Sequence, residues 1–340
     1  MIRGLIPGFY DSDFAPGEKN KRDGDCTILF DNLGTVMIID GFCSKPAQRL
    51  VQYLKERGIR KPYLDLTHPH YDHYNGLERI LDDEFFFPRA LSCPDPDSYN
   101  KSFSKDCAEN IAALERIIGK AKKRHVPVRF LEDGTTVTRG DIDFVVYRDQ
   151  PSVAEDTDSY LNDGSLCFWF PKIKYLTTGD AGFGCANKHG LRPVFIKGGH
   201  HGNRLDGEDL KPSMMAKLLY KNGCRFYWDN DFSEDLTDFL MTGREDAINA
   251  GMKILNVHGD INFISYSGKT VIYKGAEHWS YSCDYYPGIE LHSADLSVVK
   301  SVLKGEYGNG DARITNLIDN GYKPASVQNN VNEVIKLVRG

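Results

Sequence analysis

No stretch of this 340-residue chain approaches the ~20 consecutive apolar residues of a membrane-spanning helix. The opening MIRGLIPGFYDSDF holds one arginine and no apolar run long enough for a secretory leader. The expectation is a protein made in the cytoplasm without a Sec-type export signal and with no membrane partner. Positive charge is short as well. Lys and Arg total 42 against 48 Asp and Glu, a formal net charge of −6. Such a chain projects no long-range attraction toward nucleic acid or anionic lipid, which argues against a dedicated nucleic-acid binder. Cysteine is present but unpaired in sequence: the eight residues, at 26, 43, 93, 107, 167, 185, 224 and 283, form no CxxC. That excludes a zinc ribbon and favours buried thiols over a disulfide framework. No internal repeat or low-complexity tract is visible.

What is there is ordinary globular composition, 41% apolar and 26% charged, on a length that suits one large domain plus a small appendage. CTILFDN and TVMIIDGF read as a hairpin across Leu-Gly, and SKPAQRLVQYLKERGI as a helix closed by Gly58. KPYLDLTHPHYDH reads as a short strand running into a histidine cluster, with a helix, GLERILDD, starting behind it. Residues 105–124 have the acidic start and basic end of a helix. VPVRFLEDGTTVTRGDIDFVVYR alternates like antiparallel strands joined by Asp-Gly and Arg-Gly-Asp turns. SLCFWF, IKYLTTGD, PVFIKGG, CRFYWDND, MKILNV, INFISY and KTVIYKG read as further strands, with REDAINAG as a helix among them, and AEHWSYSCDYY as an aromatic linker. This order predicts an α/β fold of the αββα sandwich type over residues 1–286. From Ser293 onward the pattern is helical, which predicts a small three-helix bundle over 287–340.

The chemistry concentrates in THPHYDHYNG, residues 67–76. His68 and His70 alternate on one side of an extended segment, so two imidazoles can converge on one metal. Asp72 and His73 follow as the chain turns, offering a carboxylate and an imidazole to a second metal. Two later strand ends supply partners: YLTTGD delivers Asp180, placed to bridge two cations, and VFIKGGHH delivers His200 and His201. His125, at the end of a basic helix, reads as a surface residue.

These motifs, with Gly24-Asp25, Asp40-Gly41 and Asn162–Ser165, resemble in content and order the metallo-β-lactamase-fold hydrolases. Within them, residues 1–275 are similar to the domain of ComEC-type competence proteins and their free-standing relatives. The resemblance implies two divalent ions, zinc or manganese, the first on His68, His70 and Asp180 and the second on Asp72 and His73, with His200, nearer the strand end, as a further ligand. Such ions supply an activated water near neutral pH. Asp72 would orient that water, and His201 would donate to a substrate oxygen; the competing assignment exchanges His200 and His201.

The tail, with GEYGNGDAR, GY and VQNNVNEV, resembles the short cell-wall-binding repeats of phage lysozymes and other lysins. That resemblance implies a peptidoglycan or teichoic-acid partner, with Tyr307 stacking on a sugar while Asn309, Arg313 and Gln328 hydrogen-bond to it. The leading expectation is therefore a phage or prophage endolysin that leaves the cytoplasm through a holin pore and cuts wall phosphodiester or amide bonds. A ComEC-like nuclease and a non-catalytic wall binder are the alternatives, and homo-oligomerisation is left open.

Overall fold

A computed structural model describes residues 1–9, 24–148, 157–202, 212–229, 242–256, 260–266, 268–283 and 296–308, with 313, 316–317, 327–328 and 331–332. In chain order the elements are β1 (Ile2–Ile6), β2 (Thr27–Asp31), β3 (Val36–Ile39), α1 (Ser44–Glu56), β4 (Tyr63–Asp65), α2 (Tyr71–Asp82), β5 (Ala90–Cys93) and α3 (Lys105–Lys123). There follow β6 (Val128–Phe130), β7 (Thr136–Arg139), β8 (Ile142–Tyr147), α4 (Thr157–Asp163), β9 (Cys167–Phe170), β10 (Tyr175–Thr177), α5 (Gly184–Lys188) and β11 (Phe195–Lys197). The rest are α6 (Pro212–Lys221), β12 (Phe226–Asp229), α7 (Thr242–Asn249), β13 (Lys253–Asn256), β14 (Ile261–Tyr266), β15 (Lys269–Lys274), β16 (Glu277–Ser282) and α8 (Leu296–Leu303).

The strands form two sheets. One runs β16-β15-β14-β1-β2-β3-β4-β5-β6 and the other β13-β12-β11-β10-β9-β8-β7. Alternation along the second sheet shows how the layers stack, because successive side chains in a strand face opposite ways. Phe168, Phe170, Tyr175, Phe195, Phe226 and Trp228 join the large core shared with the first sheet. Their neighbours Cys167, Trp169, Leu176, Ile196 and Tyr227 join a second core with Leu219 of α6 and Ala247 of α7. On the outside of the first sheet, Leu50 and Leu54 of α1, Leu77 and Ile80 of α2, and Ile111 and Leu114 of α3 are buried. The layers are thus helix, sheet, sheet, helix, as expected.

Both sheets turn parallel where the site lies: β3-β4-β5-β6 in one and β10-β11-β12-β13 in the other. In open α/β sheets, the loops beyond the carboxyl ends of parallel strands are where ligands gather.

Three readings are corrected. Val128–Phe130 is not part of the antiparallel run; it pairs in parallel with β5 in the first sheet, and only β7 and β8 make the hairpin. The Asp-Gly at 133–134 therefore carries the chain from one sheet to the other. Glu277–Ser282 is not a linker but an edge strand antiparallel to β15, with Trp279 and Tyr281 turned onto Phe226. The helix of the histidine motif begins at Tyr71, inside the motif rather than behind it. Asn75-Gly76 is consequently not a turn. The backbone of Gly41 crosses the helix at Gly76, where a Cβ would lie 1.9 Å from the Gly41 carbonyl oxygen.

An ion pair between the sheets stiffens this region. Arg139 of β7 pairs with Asp65 at the end of β4, donates to Ser92 Oγ at 2.7 Å and lies over the ring of Tyr63. Burial pushes the Asp65 carboxyl up, with Arg139 and Ser92 opposing.

Of the three expected tail helices, α8 is described whole. The described remainder packs as one apolar cluster of Val298, Val299, Val302, Leu317, Val327 and Val331. The expected boundary at 287 lies outside the described residues, as do most of the residues over which the other two helices were expected.

Gly76→Ala tests the crossing. Alanine ordinarily stabilises a helix interior relative to glycine by up to about 1 kcal/mol. Here overpacking should reverse the sign, with a net loss of about 2 kcal/mol in a denaturant titration. A gain would show that the two backbones are free to separate.

Candidate metal centre

The loop after β4 is fixed before any metal enters the account. Leu66 N–H donates to the Ser92 carbonyl at 2.9 Å. Asp40, beyond the end of β3, donates its N–H to the Asp65 carbonyl at 2.8 Å. Its carboxylate accepts from Thr67 N at 2.9 Å and from Thr67 Oγ1 at 2.8 Å. Gly41 N–H reaches the His73 carbonyl at 2.7 Å. Asp40, Phe42 and Ser44 all take positive φ (57°, 59° and 52°). Three left-handed non-glycine residues within five positions are costly, and persist only where neighbouring contacts over-determine the turn.

This framework sets the histidine tautomers. His73 Nδ1–H donates to Asp40 Oδ2 at 2.8 Å, leaving Nε2 to face inward. The single hydroxyl hydrogen of Thr67 goes to Asp40, so its oxygen accepts from His68 Nδ1, 3.0 Å away. His68 Nε2 is therefore also left bare. A metal-binding histidine held through its outer nitrogen by a carboxylate or hydroxyl is the usual support for such ligands.

The inward atoms converge on Asp180, delivered by β10. Its Oδ2 lies 3.6 Å from His68 Nε2, 3.2 Å from His73 Nε2 and 3.5 Å from His201 Nε2. Its backbone N–H reaches Ser165 Oγ at 3.4 Å, which places the Asn162–Ser165 segment behind it. Gly179 must lack a side chain there: a Cβ would lie 2.7 Å from Thr67 Cβ and 3.1 Å from Ser165 Cβ. His70 Nδ1 approaches His68 Nε2 at 3.0 Å, and Asp72 Oδ2 lies 2.9 Å from His201 Nε2.

The donors divide into two groups, each able to share an ion: His68, His70 and Asp180, and Asp25, His73, Asp180 and His201. The buried ring atoms His70 Nε2 and His73 Nε2 make no hydrogen bond among the described residues. Imidazoles and carboxylates without thiolate, with His68 and His73 anchored through their outer nitrogens, fit divalent zinc or manganese.

The structure brings together five of the six expected metal residues: His68, His70, Asp72, His73 and Asp180. His201 takes the place given to His200. Both adopt left-handed backbone (φ 46° and 59°), and this sharp corner swings the second imidazole inward. His201 is buried, and its Nε2 points at Asp72 and Asp180. His200 is half-buried and belongs to neither donor group. His125 is exposed at the end of α3, as expected.

Sequence reasoning assigned no role to Asp25, Asp40 and Lys197. The first two stand in the Gly-Asp and Asp-Gly pairs of the motif pattern. Lys197 ends β11 fully buried, its ammonium paired with Asp25 and 3.2 Å from Asp180 Oδ1. Gly24 is required where it is, since a Cβ would lie 1.6 Å from the Asp72 carbonyl oxygen.

Charge is dense here. Burial raises the Asp180 carboxyl, but His73, His201 and Lys197 outweigh it and hold the group well below the usual carboxylate range. Burial lowers His73 and His201, yet the carboxylates dominate. His73 rises well above its ordinary value through Asp180, Asp40 and Asp72, and His201 to about 9 through Asp180 and Asp25. Burial, then the charge on His73, drives His68 well down.

In the tail, Arg313 Nε donates to the Gly308 carbonyl at 3.0 Å and Nη1 to Gln328 Oε1 at 3.1 Å. Tyr307 packs against the apolar cluster, and its carbonyl accepts from Asn316 Nδ2 at 3.2 Å. Three expected wall-binding residues are therefore neighbours, and Asn309 lies outside the described residues.

Residues 20–148 match the metallo-beta-lactamase superfamily model, and residues 297–335 match the CW_7 repeat model. The chain joins a metallo-beta-lactamase superfamily domain to a C-terminal CW_7 cell-wall repeat. No curated protein matches it. Among solved structures, it is similar to a diphosphatase of the PhnP family at 9% identity, over 77% of this chain and 98% of that one, TM-score 0.42. It is likewise similar to unliganded yeast PDE1 at 13% identity over 75% and 97%, TM-score 0.43. A metallo-beta-lactamase family protein from Thermus thermophilus matches at 17% identity over 73% and 78%, TM-score 0.37.

Metal binding should compete with protons. The carboxylates raise the His73 and His201 rings, so a metal at their Nε2 atoms competes with a proton there. Uptake should therefore release protons and tighten as pH rises toward about 9, by about tenfold per pH unit for each proton displaced. Calorimetric titration with zinc in buffers of different ionisation enthalpy measures the release. Proton-neutral binding at pH 7 would place the metal away from these two rings.

Proposed function

We propose that the protein is a two-metal hydrolase directed to the bacterial cell wall, of the endolysin kind, cutting a teichoic-acid phosphodiester or peptidoglycan amide bond. The observation that carries this reading is the union, in one chain, of two convergent donor groups with a cell-wall repeat. We assign His68, His70 and Asp180 to the first ion and Asp72, His73, Asp180 and His201 to the second.

Bound divalent ions at such a pair of centres supply an activated water near neutral pH and offset charge developing on the substrate. The chain's own groups do the rest. Asp40 and Thr67 keep His73 and His68 in the tautomers that leave Nε2 free. Asp72 is the most open carboxylate of the set, its side chain 24% exposed, so it faces the entrance and orients the attacking water. Tyr71, exposed and edge-on to Tyr74, stands at the same mouth and is placed to donate to a leaving group. His200, outside the donor groups, takes the role of substrate-oxygen donor in place of His201. In the tail, Tyr307, Arg313, Asn309 and Gln328 are assigned to the wall ligand.

Mass spectrometry of fragments released from defined cell walls identifies the bond, with chelator-treated protein as control. Asp180→Ala should lower release more than about 100-fold while leaving wall retention unchanged, and Tyr307→Ala should do the reverse. Degradation of single-stranded DNA with intact walls would overturn the reading in favour of a nuclease.

A further inference from the structure

Lys197 is a fully buried ammonium in the middle of a metal centre, an arrangement that opposes cation binding unless its charge is answered. Its partners show how it is answered. Nζ pairs with Asp25, lies 3.2 Å from Asp180 Oδ1 and donates to the Gly179 carbonyl. Asp180 is thereby divided: Oδ1 is held by the lysine, and Oδ2 alone faces the three imidazoles.

Asp25 looks by proximity like a fourth ligand of the second ion. Its oxygens, however, lie on the outer side of both rings. Oδ1 is 3.5 Å from His201 Nδ1, and Oδ2 is 3.9 Å from His73 Nδ1. The metal-facing nitrogens of those rings are the Nε2 atoms, which point to Asp180 and Asp72. Asp25 cannot reach an ion held by Nε2 without leaving Lys197. Asp40 stands to His73 as Asp25 does to His201, each a carboxylate at the outer nitrogen.

We propose that Lys197 is a positioning residue: its ion pair with Asp25 keeps that carboxylate out of the metal's coordination sphere as the anchor of His201, and the same ammonium fixes Asp180 so that one oxygen serves both ions. The inference rests on the two-metal reading above.

The pair makes opposite predictions for its two halves. Asp25→Asn leaves an unanswered ammonium beside the metals and frees His201, so cobalt(II) should bind the second centre about 10–100-fold more weakly. Lys197→Met removes that repulsion and releases Asp25 into the coordination sphere. Binding should tighten at least about tenfold, and the visible cobalt absorption should weaken as the coordination number rises. The double variant removes both charges and should return affinity and spectrum close to those of the unsubstituted protein.

Calorimetry and visible absorption on the full chain give both readouts without an activity assay. If Asp25 is instead a direct ligand, Asp25→Asn lowers the coordination number, the double variant stays as weak as the single one, and the proposal is overturned. Lys197→Met binding no more tightly than the unsubstituted protein also overturns it. Should Lys197→Met not fold, the double variant decides alone: near-normal binding supports the proposal, and binding as weak as Asp25→Asn overturns it. Two ions bound by the unsubstituted protein with the wrong variant pattern sinks this inference only. No cobalt bound at all sinks the two-metal reading as well.

Discussion

Four carboxylates, those of Asp25, Asp40, Asp72 and Asp180, crowd the carboxyl-terminal edge of two sheets, and the rest of the site exists to answer their charge. Only Asp72 has appreciable exposure. Charges out of water are tolerated only with cations or donors at close range. Each acid has its own solution. Asp40 takes Thr67 and His73, Asp25 takes Lys197, Asp72 takes His201, and Asp180 sits among Lys197 and three imidazoles. The same acids favour protons on His73 and His201 and so raise both rings. Protons and metal ions are therefore alternative counter-charges for one fixed set of acids.

The fold serves that set by bringing together strand ends distant in sequence. Residues 25, 40, 65–73, 180 and 197–201 share one edge because β2 and β3 are antiparallel neighbours while β3, β4, β10 and β11 deliver their carboxyl ends. The close approaches at Gly24, Gly41, Gly76 and Gly179 are where backbone or side chain of one segment touches the next, with no room for a Cβ. Rigidity follows from these contacts, and they flank the positive φ at Asp40 and Phe42. Strain at those residues is held by the same contacts that aim the ligands.

How much of this was legible in the sequence follows from where each signal lies. The histidine motif was readable because its donors are close in sequence and their spacing carries geometry. Asp180 was readable as a carboxylate at a strand end. Asp25, Asp40 and Lys197 were not assigned, because a single acid or lysine next to a strand has no meaning until the opposing strand is known. The choice between His200 and His201 is out of reach for a related reason: two successive left-handed residues decide which imidazole points inward, and no pattern of residue types announces that corner. Val128–Phe130 was assigned to the wrong run because alternation identifies a strand and not its partner. Asn75-Gly76 carried no assignment, since glycine marks both turns and close helix crossings, and only the Gly41 backbone distinguishes them.

Under the proposed reading, the CW_7 repeat gives the reaction its address. A wall polymer offers the same ligand many times over, so a head tethered to one bound repeat meets its substrate as an intramolecular neighbour. Joining a binding module to a head makes the second encounter intramolecular, which raises the effective concentration of substrate. Tight binding by the repeat would add little to that encounter and would slow transfer to the next uncut bond, because most differences in affinity reside in the dissociation rate. The packing of Arg313 against Gln328 and Gly308 spends part of their hydrogen-bonding capacity inside the repeat.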